Sequence, residues 1–539
     1  METKQHEIVE AVVVGAGAAG AAATWCLATG GVRVVCLERG GWVGPDDIPT
    51  DRPDWEVHRQ RSHHPNPNIR RLPQDYPIED SGTPIRPLMY NAVGGSTIHW
   101  GAHFPRLHPA DFKARRLDGV GEDWPIDYAD LEPFYDENDR MMGVSGIAGD
   151  PANPPRSPRQ TPPVPLGLAG ERVAAALDRL GWHWWPVDAA INTVAYGDGR
   201  GACNNCGPCD LGCPVGARSS TDLTYWPAAL DAGAELRTGA RVTRVETGPD
   251  GRARGVEYLD ADGVRHHQPA ETVVLAGNGV GTSRLLLLSA TDRQPDGLAN
   301  SSGLVGRHLM HHPTGMVTGV FEEPLAGFKG PFATTLVSQQ FYETDQQRGF
   351  VRGYQMQLIR SDGPLGTALG GYLVPVPWGA SHHVTFEQQF GHTASLTVTT
   401  EDLPDPDNRV TLDDELVDAD GLPAPRLTYR VDDNASAMIE HGIGSASTIL
   451  REAGAVDVVA QDLVESAGFH LLGTARMGLD PERSVVDPWC RAHDVDNLVI
   501  VDGSVFVTAG AVNPTSTIQA IALRAAERIV DPGTQREGR

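Results

Sequence analysis

The amino-acid sequence predicts an α/β protein that combines a Rossmann-like nucleotide-binding domain with a second domain built on an antiparallel sheet. The chain opens with a Val-rich strand, a glycine-rich turn, a helix of small residues and a second Val-rich strand, which is the order of a βαβ unit. Residues 315–430 instead alternate β-like stretches with loops, a pattern typical of antiparallel strands. With 539 residues the chain exceeds one compact core, so at least two domains are expected.

The amino-acid composition limits the kinds of partner that the protein is expected to bind. Hydrophobic residues make up 40% of the chain and charged residues 21%, which is typical of a folded protein rather than a disordered one. The 44 basic and 70 acidic residues give a formal net charge of −26. Such an acidic surface repels phosphate backbones and anionic lipids. A small-molecule substrate is therefore expected, and no nucleic acid.

The first residues of the chain show no export signal. Residues 1–8 contain neither the basic nor the apolar segment of a signal peptide. No stretch approaches the roughly 18 consecutive apolar residues that a spanning helix needs. The sequence therefore predicts a cytoplasmic protein without a direct membrane span, or a periplasmic one only if a partner subunit carries the export signal.

The first predicted elements form the βαβ unit. A strand over Ile8–Val14 precedes the glycine-rich turn, a helix runs to about Ala28, and the second strand covers Val32–Leu37. Residues 42–90 are polar and rich in Pro, His and Arg, and we interpret them as a lid-like excursion. The prolines of Asp150–Pro165 predict a linker between two lobes.

The glycine-rich turn carries the G-x-G-x-x-G pattern at Gly15, Gly17 and Gly20. The first glycine permits the tight turn, the second lets the backbone approach a pyrophosphate, and the third lets helix and strand pack closely. The helix N-terminus offers unpaired N–H groups to the phosphates. Glu38 stands at the end of the second strand, where a carboxylate bonds a ribose hydroxyl. These residues predict a dinucleotide without a 2′-phosphate and leave FAD and NAD open.

The later elements follow the same two patterns, that of the nucleotide-binding domain and that of the antiparallel sheet. In the second part of the nucleotide-binding domain we predict strands at Glu235–Arg237, Arg241–Glu246, Ala253–Leu259 and Thr272–Leu275 and a helix at Thr282–Ser289. In the antiparallel sheet we predict strands at Gly315–Val320, Ala394–Thr399 and Arg409–Leu412. The chain closes with a strand at Leu498–Val501 and a helix from about Ser516 to Ile529.

Five short motifs lie within and between these elements. They are a Gly/hydroxyl turn at Val93–Thr97, a nucleotide-style turn at Ala276–Ser289, the stretch Phe469–Gly478, the pair Asp502-Gly503 and the stretch Val512–Thr515. In order and spacing they resemble the glucose-methanol-choline (GMC) oxidoreductase family. The resemblance implies the GMC fold, an FAD cofactor and the oxidation of a CH–OH donor.

The same resemblance implies the roles of individual residues. In the family, the His of H-x-x-G-T-x-R-M-G and the Asn or His before Pro-Thr or Pro-Ser meet over the flavin; here they are His470 and Asn513. An imidazole has a pKa near enough to neutrality to accept the hydroxyl proton as hydride leaves the carbon. A neutral amide holds the same oxygen without competing as a base. Further cofactor contacts are expected at Gly94, Gly95, Ser96, His99, Val242, Asp502, Gly503, Pro514 and Thr515.

His99 stands where many members of the family carry an asparagine. The segment Ile98-His99-Trp100 resembles the pyranose oxidase branch, in which a His of this segment bonds covalently to the flavin. The local sequence of that branch differs slightly from this one. Covalent and non-covalent contact with the flavin therefore both stay open.

Four of the seven cysteines form one run, Cys203, Cys206, Cys209 and Cys213, with the spacing C-x2-C-x2-C-x3-C-P. Thiolates at this spacing on a Gly/Pro-bent loop can converge on one iron–sulfur cluster. The open readings are a [3Fe–4S] or [4Fe–4S] cluster, inert or redox-paired thiols, and structural zinc. A cluster would resemble the large subunits of sugar dehydrogenases, which pass electrons to a small subunit or a cytochrome.

The resemblance leaves several functions open. The leading one is the oxidation of a sugar or glycoside to a ketone or lactone, with electrons leaving through the cluster. The alternatives are a pyranose or glycoside oxidase that uses O2 without a cluster, a long-chain alcohol oxidase, and a lyase with a structural flavin. The cysteine run favours redox chemistry over the lyase.

Two histidine pairs, His63-His64 and His311-His312, lack cysteine or carboxylate company at ligand spacing. We predict that both are solvated loop residues, although Gly306–Pro313 is expected to pack near the flavin by resemblance.

The predicted division of the chain is an FAD-binding domain at 1–120, a linker and substrate-domain segment at 121–200, FAD-binding residues at 201–312 with the cysteine loop 203–213, a substrate domain at 313–464, and a C-terminal FAD-binding part at 465–539 that carries His470 and Asn513.

Overall fold

The computed structural model describes residues 3–50, 52–332, 335–371 and 375–533. The strands are β1 Lys4–Gln5, β2 Val9–Val14, β3 Val34–Leu37, β4 Glu79–Gly82, β5 Trp185–Pro186, β6 Glu235–Arg237, β7 Arg241–Thr247, β8 Ala253–Leu259, β9 Arg265–Leu275, β10 Thr314–Val320, β11 Leu336–Ser338, β12 Tyr354–Ile359, β13 Thr393–Thr400, β14 Arg409–Val417, β15 Pro423–Thr428, β16 Asp457–Gln461, β17 Arg491–Ala492 and β18 Val495–Ile500.

The helices are α1 Ala18–Thr29, α2 Trp55–Arg59, α3 Pro67–Arg70, α4 Ala114–Asp118, α5 Tyr128–Met142, α6 Gly167–Leu180, α7 Tyr225–Asp231, α8 Asn278–Leu288, α9 Pro364–Ala368, α10 His382–Gln389, α11 Asp433–Glu452 and α12 Thr515–Val530. Short 3₁₀ helices lie at Pro45–Asp47, Gly95–His99, Asp111–Lys113, Cys209–Leu211, Gln346–Arg348 and Gly503–Val505. Within the described ranges, no helix is long and apolar enough to cross a membrane.

The first large sheet contains nine strands, and its main path is β17-β18-β9-β2-β3-β6. Strands β18, β9, β2, β3 and β6 are parallel. Helix α1 begins directly after β2 and packs against α12 at the far end of the chain. Its glycine and all its alanines except Ala18 are buried, so the two helices approach closely. This arrangement confirms the predicted Rossmann-like unit, whose turn lies at the carboxyl edge of the parallel strands, where such sheets bind ligands.

The second large sheet contains six strands in the order β16-β10-β13-β12-β11-β5, and all its pairings are antiparallel. Helix α11 packs against β10 and β13. An apolar cluster fills the space between this helix and the sheet and includes Val317, Leu396, Met438 and Ile449. The antiparallel sheet that the sequence predicts is therefore confirmed, and the face opposite α11 is left to line a cavity.

One predicted strand lies elsewhere. The stretch from Arg409 belongs to β14, which pairs with β15, and β15 in turn pairs with β4 in a separate three-stranded sheet. The prediction that it joins the antiparallel sheet is wrong. The reason is packing: Val410 joins an apolar cluster with Tyr76 and Ile85 of the excursion. The excursion is thus anchored to β14 and β15. Residues 1–2 and 534–539 of the predicted division lie outside the described residues.

Candidate active site

A single cavity of about 480 Å³ joins the two sheets. At one end it is lined by the nucleotide turn, and at the other by the free face of the antiparallel sheet. Predicted site residues that line it are Gly15, Gly17, Glu38, Gly95, Ser96, His99, Val242, His470, Asp502, Gly503, Asn513, Pro514 and Thr515. Gly20 and Gly94 are not among the lining residues. The tertiary structure thus brings residues from both ends and the middle of the chain to one site.

The nucleotide turn leaves open space beside its second glycine. A Cβ atom placed on Gly17 would meet only the Cα of Gly95, at 3.8 Å. Gly95 itself has φ +54, and a Cβ there would approach the Cα of Gly17 to 2.7 Å. The two glycine turns therefore touch backbone to backbone, and this cradle fits a pyrophosphate held by N–H groups.

Glu38 faces the same cavity from the end of β3. Its carboxylate accepts hydrogen bonds from the backbone N–H groups of Ala16 and Gly40, each at 2.8 Å. Burial raises the pKa of this carboxyl group, although both N–H donors act against that shift. The side chain is therefore held in one orientation at the strand end, where it can accept from the ribose hydroxyls of a bound nucleotide.

Asp502 connects the C-terminal segment to α8. Its Oδ2 accepts from the hydroxyl of Thr282 at 2.5 Å, and its Oδ1 accepts from the N–H of Ser504 at 2.9 Å. The side chain caps the 3₁₀ helix Gly503–Val505 in this way. Both Asp502 and Gly503 line the cavity, so the cap brings the N-terminus of a helical turn to the cofactor end of the site.

His470 lines the cavity and makes a single side-chain hydrogen bond to the described protein. Its Nδ1 lies 2.8 Å from Nδ1 of His312, and the two ring planes are perpendicular. The backbone carbonyl of His470 accepts from Nδ1 of His311 at 3.0 Å. Burial lowers the pKa of His470 well below its ordinary value, and the neighbouring His312, His311 and His103 lower it further. The imidazole is therefore neutral and able to accept a proton.

Asn513 is oriented by the antiparallel sheet. Its Oδ1 accepts from Nε2 of Gln357 at 2.7 Å and from Nε2 of Gln355 at 3.1 Å. Gln357 in turn accepts from His103, which helps to fix the orientation of its amide. Because Oδ1 is occupied by two donors, the Nδ2 amide group of Asn513 is the part that can donate into the cavity.

The two glutamines were missed by sequence reasoning. They alternate along β12 and so share one face of the strand. In register with them across the sheet lie Thr399 and Thr397 of β13. Two glutamines at alternate positions of an otherwise mostly apolar strand are the signal that marks this face. The sheet residues that line the cavity are Thr314, Met316, Gln357, Ile359, Thr397 and Thr399, all uncharged.

The prediction that His311 and His312 are solvated is wrong. His311 is fully buried and His312 is 1% exposed. Burial lowers the pKa of each to about 4. The segment wraps behind the Phe469–Gly478 stretch through the antiparallel bridge Met310↔Leu472, and this contact places both rings against His470. The other pair is half-buried, and His63 lines the cavity with its ring 5.9 Å from that of His99.

His99 is buried at the cavity wall. Its Nδ1 donates to the carbonyl oxygen of Asp210 at 2.8 Å, so the lone pair is on Nε2. This Nε2 is buried and has no hydrogen-bond partner among the described residues. Burial lowers the pKa of His99 to about 3. A neutral imidazole with a free lone pair therefore lies at the cavity wall beside Asp210.

The four cysteines of the run line one small cavity. Burial raises the pKa of the Cys209 thiol to about 12, and Cys203 and Cys213 add to the shift. Burial also raises the pKa of Cys203 and Cys206. All seven cysteines are free thiols. Among the residues that the structure describes, no three His, Cys, Asp or Glu side chains are grouped so as to hold a metal ion.

The cysteine cavity and the larger cavity share a wall. Asp210 and Leu211, which lie inside the cysteine run, line the larger cavity. Thr50 holds the other side of the loop by donating to the carbonyl oxygen of Gly212 at 3.0 Å. The cysteine run therefore contributes residues to both cavities.

Fold, cavity and motifs define the class of protein. The sequence matches the GMC oxidoreductase profiles over residues 171–314 and 404–522 and an NAD(P)-binding Rossmann-like domain over residues 13–76. The chain belongs to the GMC oxidoreductase family, and it is an FAD-dependent oxidoreductase.

Relatives of known activity cover nearly the whole chain. A 2-methyl-1,2-propanediol dehydrogenase of Mycolicibacterium austroafricanum is 44% identical over 98% of this chain and 96% of its own. The fructose dehydrogenase large subunit of Gluconobacter japonicus is 31% identical over 97% of this chain and 98% of its own. A formate oxidase of Aspergillus oryzae has the same fold, with a TM-score of 0.67 and 16% identity over 99% of both chains.

Proposed function

We propose that this protein oxidises the CH–OH group of a neutral polyhydroxy compound, a small diol or a sugar, to the corresponding carbonyl compound or lactone. The observation that carries the proposal is the shared cavity: His470 and Asn513 line it together with the nucleotide turn. Bound FAD supplies the acceptor for the hydride. A general base and an amide donor beside that acceptor are what hydride abstraction from an alcohol requires.

The two side chains have complementary roles. His470 accepts the hydroxyl proton, since burial keeps its imidazole neutral. Asn513 donates an amide N–H to the substrate oxygen, because its Oδ1 is occupied by Gln355 and Gln357. The amide thus stabilises the negative charge that develops on that oxygen as the proton leaves.

The lining of the sheet supports a neutral substrate. The residues that β10, β12 and β13 contribute are uncharged and offer hydroxyl and amide groups beside Met316 and Ile359. An anionic substrate would lose its hydration against this face, where none of the lining sheet residues offers an ion-pair partner, and that loss is costly. Two relatives are named for neutral polyols, since one is a 2-methyl-1,2-propanediol dehydrogenase and the other a fructose dehydrogenase large subunit.

Anaerobic reduction of the bound flavin tests this proposal directly. The oxidised protein is mixed with 2-methyl-1,2-propanediol, fructose or gluconate, and the flavin absorbance is followed by stopped flow. We expect bleaching by at least one neutral compound and none by gluconate. A flavin that no alcohol bleaches would favour the lyase alternative, and equally fast bleaching by gluconate would refute the neutral-substrate argument.

The cysteine run is proposed as the exit for electrons. Cys203, Cys206, Cys209 and Cys213 would hold an iron–sulfur cluster, which supplies one-electron transfer to a partner such as a small subunit or a cytochrome. Two observations support it: the donor set is all sulfur at a cluster spacing, and the four residues line one cavity next to the larger one. Such a relay has no use in an enzyme whose reduced flavin reacts directly with O2.

Metal analysis after anaerobic purification tests the electron exit. We expect iron and acid-labile sulfide in addition to flavin, and slow turnover with O2 compared with an artificial dye. Cys209→Ser should lose the iron and keep the flavin. Iron-free protein that turns over rapidly with O2 would favour the oxidase alternative, and one zinc per chain would show that the thiols are structural.

We also propose that His99 contacts the flavin. The free lone pair on its buried Nε2 supports this proposal. Precipitation with acid distinguishes the two open modes of contact, because a covalently bound flavin stays with the protein pellet. In His99→Ala a covalent flavin would become extractable, whereas a non-covalent flavin is extractable from both proteins.

A further inference from the structure

The histidine behind His470 makes hydrogen bonds at both ring nitrogens. Nδ1 of His312 lies 2.8 Å from Nδ1 of His470. Nε2 of His312 lies 3.0 Å from the backbone carbonyl oxygen of Gly510. The ring is 1% exposed, so water does not compete for either nitrogen. The three groups form a chain of hydrogen bonds that ends at His470.

Counting the protons along these hydrogen bonds leaves one arrangement of hydrogens on the two rings. A carbonyl oxygen only accepts, so Nε2 of His312 carries a hydrogen. Burial keeps His312 neutral by lowering its pKa to about 4, and a neutral imidazole has one N–H. Its Nδ1 is therefore an acceptor. The hydrogen between the two rings must then belong to Nδ1 of His470, and the lone pair of His470 is on Nε2.

We propose that His312 is a positioning residue that holds His470 in its Nδ1–H tautomer, which leaves Nε2 as the base. The inference rests on the proposed function, in which His470 accepts the substrate proton. In that step the hydroxyl proton would move to Nε2, and bound FAD would supply the acceptor for the hydride. Nδ1–H of the resulting imidazolium stays bonded to the neutral acceptor on His312, which stabilises the new charge.

The backbone around His470 is held by the neighbouring histidine. Nδ1 of His311 donates to the carbonyl oxygen of His470 at 3.0 Å. The N–H of His311 donates to Asp402 at 2.8 Å. His311 thus anchors the main chain of the base, while His312 sets its protonation. A mutation at His312 therefore changes the tautomer without releasing this backbone anchor.

Two amide substitutions separate a tautomer effect from a loss of packing. The side-chain oxygen of His312→Asn replaces Nδ1, so it can still accept from His470. The amide of His312→Gln replaces Nε2, so it keeps the contact with Gly510 and withdraws the acceptor. We expect anaerobic flavin reduction to fall by about 10²- to 10⁴-fold in His312→Gln and by less than about 10-fold in His312→Asn, as for other residues that orient a catalytic imidazole.

The matched control is His392→Leu, because the Nδ1 of this ring also bonds a backbone carbonyl, that of Phe321, at 3.1 Å. His392 does not line the cavity, so flavin reduction should be unchanged in this variant. Flavin content and melting temperature of all three variants show whether the fold is intact. Equal rates in His312→Gln and wild type would overturn the inference.

A readout besides activity is the ¹⁵N chemical shift of the histidine ring nitrogens in the flavin-loaded protein. The signals of His470 are assigned by their loss in His470→Ala. We expect a protonated Nδ1 and an unprotonated Nε2 in the wild type, and a mixture of tautomers in His312→Gln. A wild-type His470 that is protonated at Nε2 would refute the inference. If His470→Ala reduces flavin at the normal rate, the proposed function fails instead.

Discussion

Replacing Gly17 by valine should remove the flavin and leave the folded chain intact. The backbone at Gly17 has φ −77, which a valine adopts without strain, and a Cβ there meets only Gly95 at 3.8 Å. The new side chain therefore points into the space that the pyrophosphate needs. Overpacking against the cofactor and the loss of a charge-assisted hydrogen bond together cost about 3–6 kcal/mol, which weakens FAD binding by about 10²- to 10⁴-fold.

The matched variant is Gly20→Ala in the same turn. An added Cβ would lie 1.8 Å from the carbonyl oxygen of Gly15, so the backbone must shift, at a cost of about 1–3 kcal/mol or more. Flavin content is measured from the visible-to-ultraviolet absorbance ratio after gel filtration. The stability of each apoprotein is measured by urea unfolding, since bound flavin would itself add stability.

The two variants should fail in different ways. Gly17→Val should lose flavin while its apoprotein changes by less than about 1 kcal/mol in the free energy of unfolding. Gly20→Ala should destabilise the apoprotein. Full flavin content in Gly17→Val would show that the pyrophosphate lies elsewhere. An unchanged unfolding midpoint in Gly20→Ala would show that the turn is less tightly packed than its geometry indicates.

Three further predictions concern the base and the buried histidines. His470→Ala should slow anaerobic flavin reduction by about 10²- to 10⁴-fold, the range of a positioned general base, and Asn513→Ala by only about 10- to 10²-fold, since it removes one hydrogen bond; normal rates in His470→Ala would remove it from the mechanism. Because burial and three histidine neighbours lower the pKa of His470, flavin reduction should be constant above about pH 6.5 and fall only in more acidic solution; a rate that still rises between pH 7 and 9 would contradict this assignment. Burial lowers the pKa of His311 and His312 to about 4, so the unfolded chain binds more protons than the folded chain between about pH 6.5 and pH 4. The free energy of unfolding should therefore fall as the pH is lowered through this window, and urea unfolding at pH 7.5 and at pH 5 measures the difference.

The predicted elements match the structure where local pattern decides. The strand expected at Ile8–Val14 is β2, Val9–Val14, and the helix after the glycine turn is α1. The strand expected at Thr272–Leu275 begins earlier, at Arg265, because its polar first half pairs with β8. Pairing with a neighbouring strand extends a strand beyond its apolar core, and a sequence window does not contain that neighbour.

The sequence by itself determined the nucleotide turn, the order of the motifs and the identity of His470 and Asn513 as candidate site residues. These depend on short spacings, since a turn, a cap or a G-x-G-x-x-G pattern is specified by residues that are close in the chain. The order of these motifs along the chain indicates the GMC family from the sequence alone.

Only the tertiary structure decided how those side chains are held. Asn513 meets Gln355 and Gln357 across 158 and 156 positions, and His470 meets His312 across 158. Such partners are chosen by the register of the antiparallel sheet and by the bridge between Met310 and Leu472. The sequence alone predicts a solvated histidine pair, whereas in the structure burial removes water from both rings and leaves His312 in contact with His470.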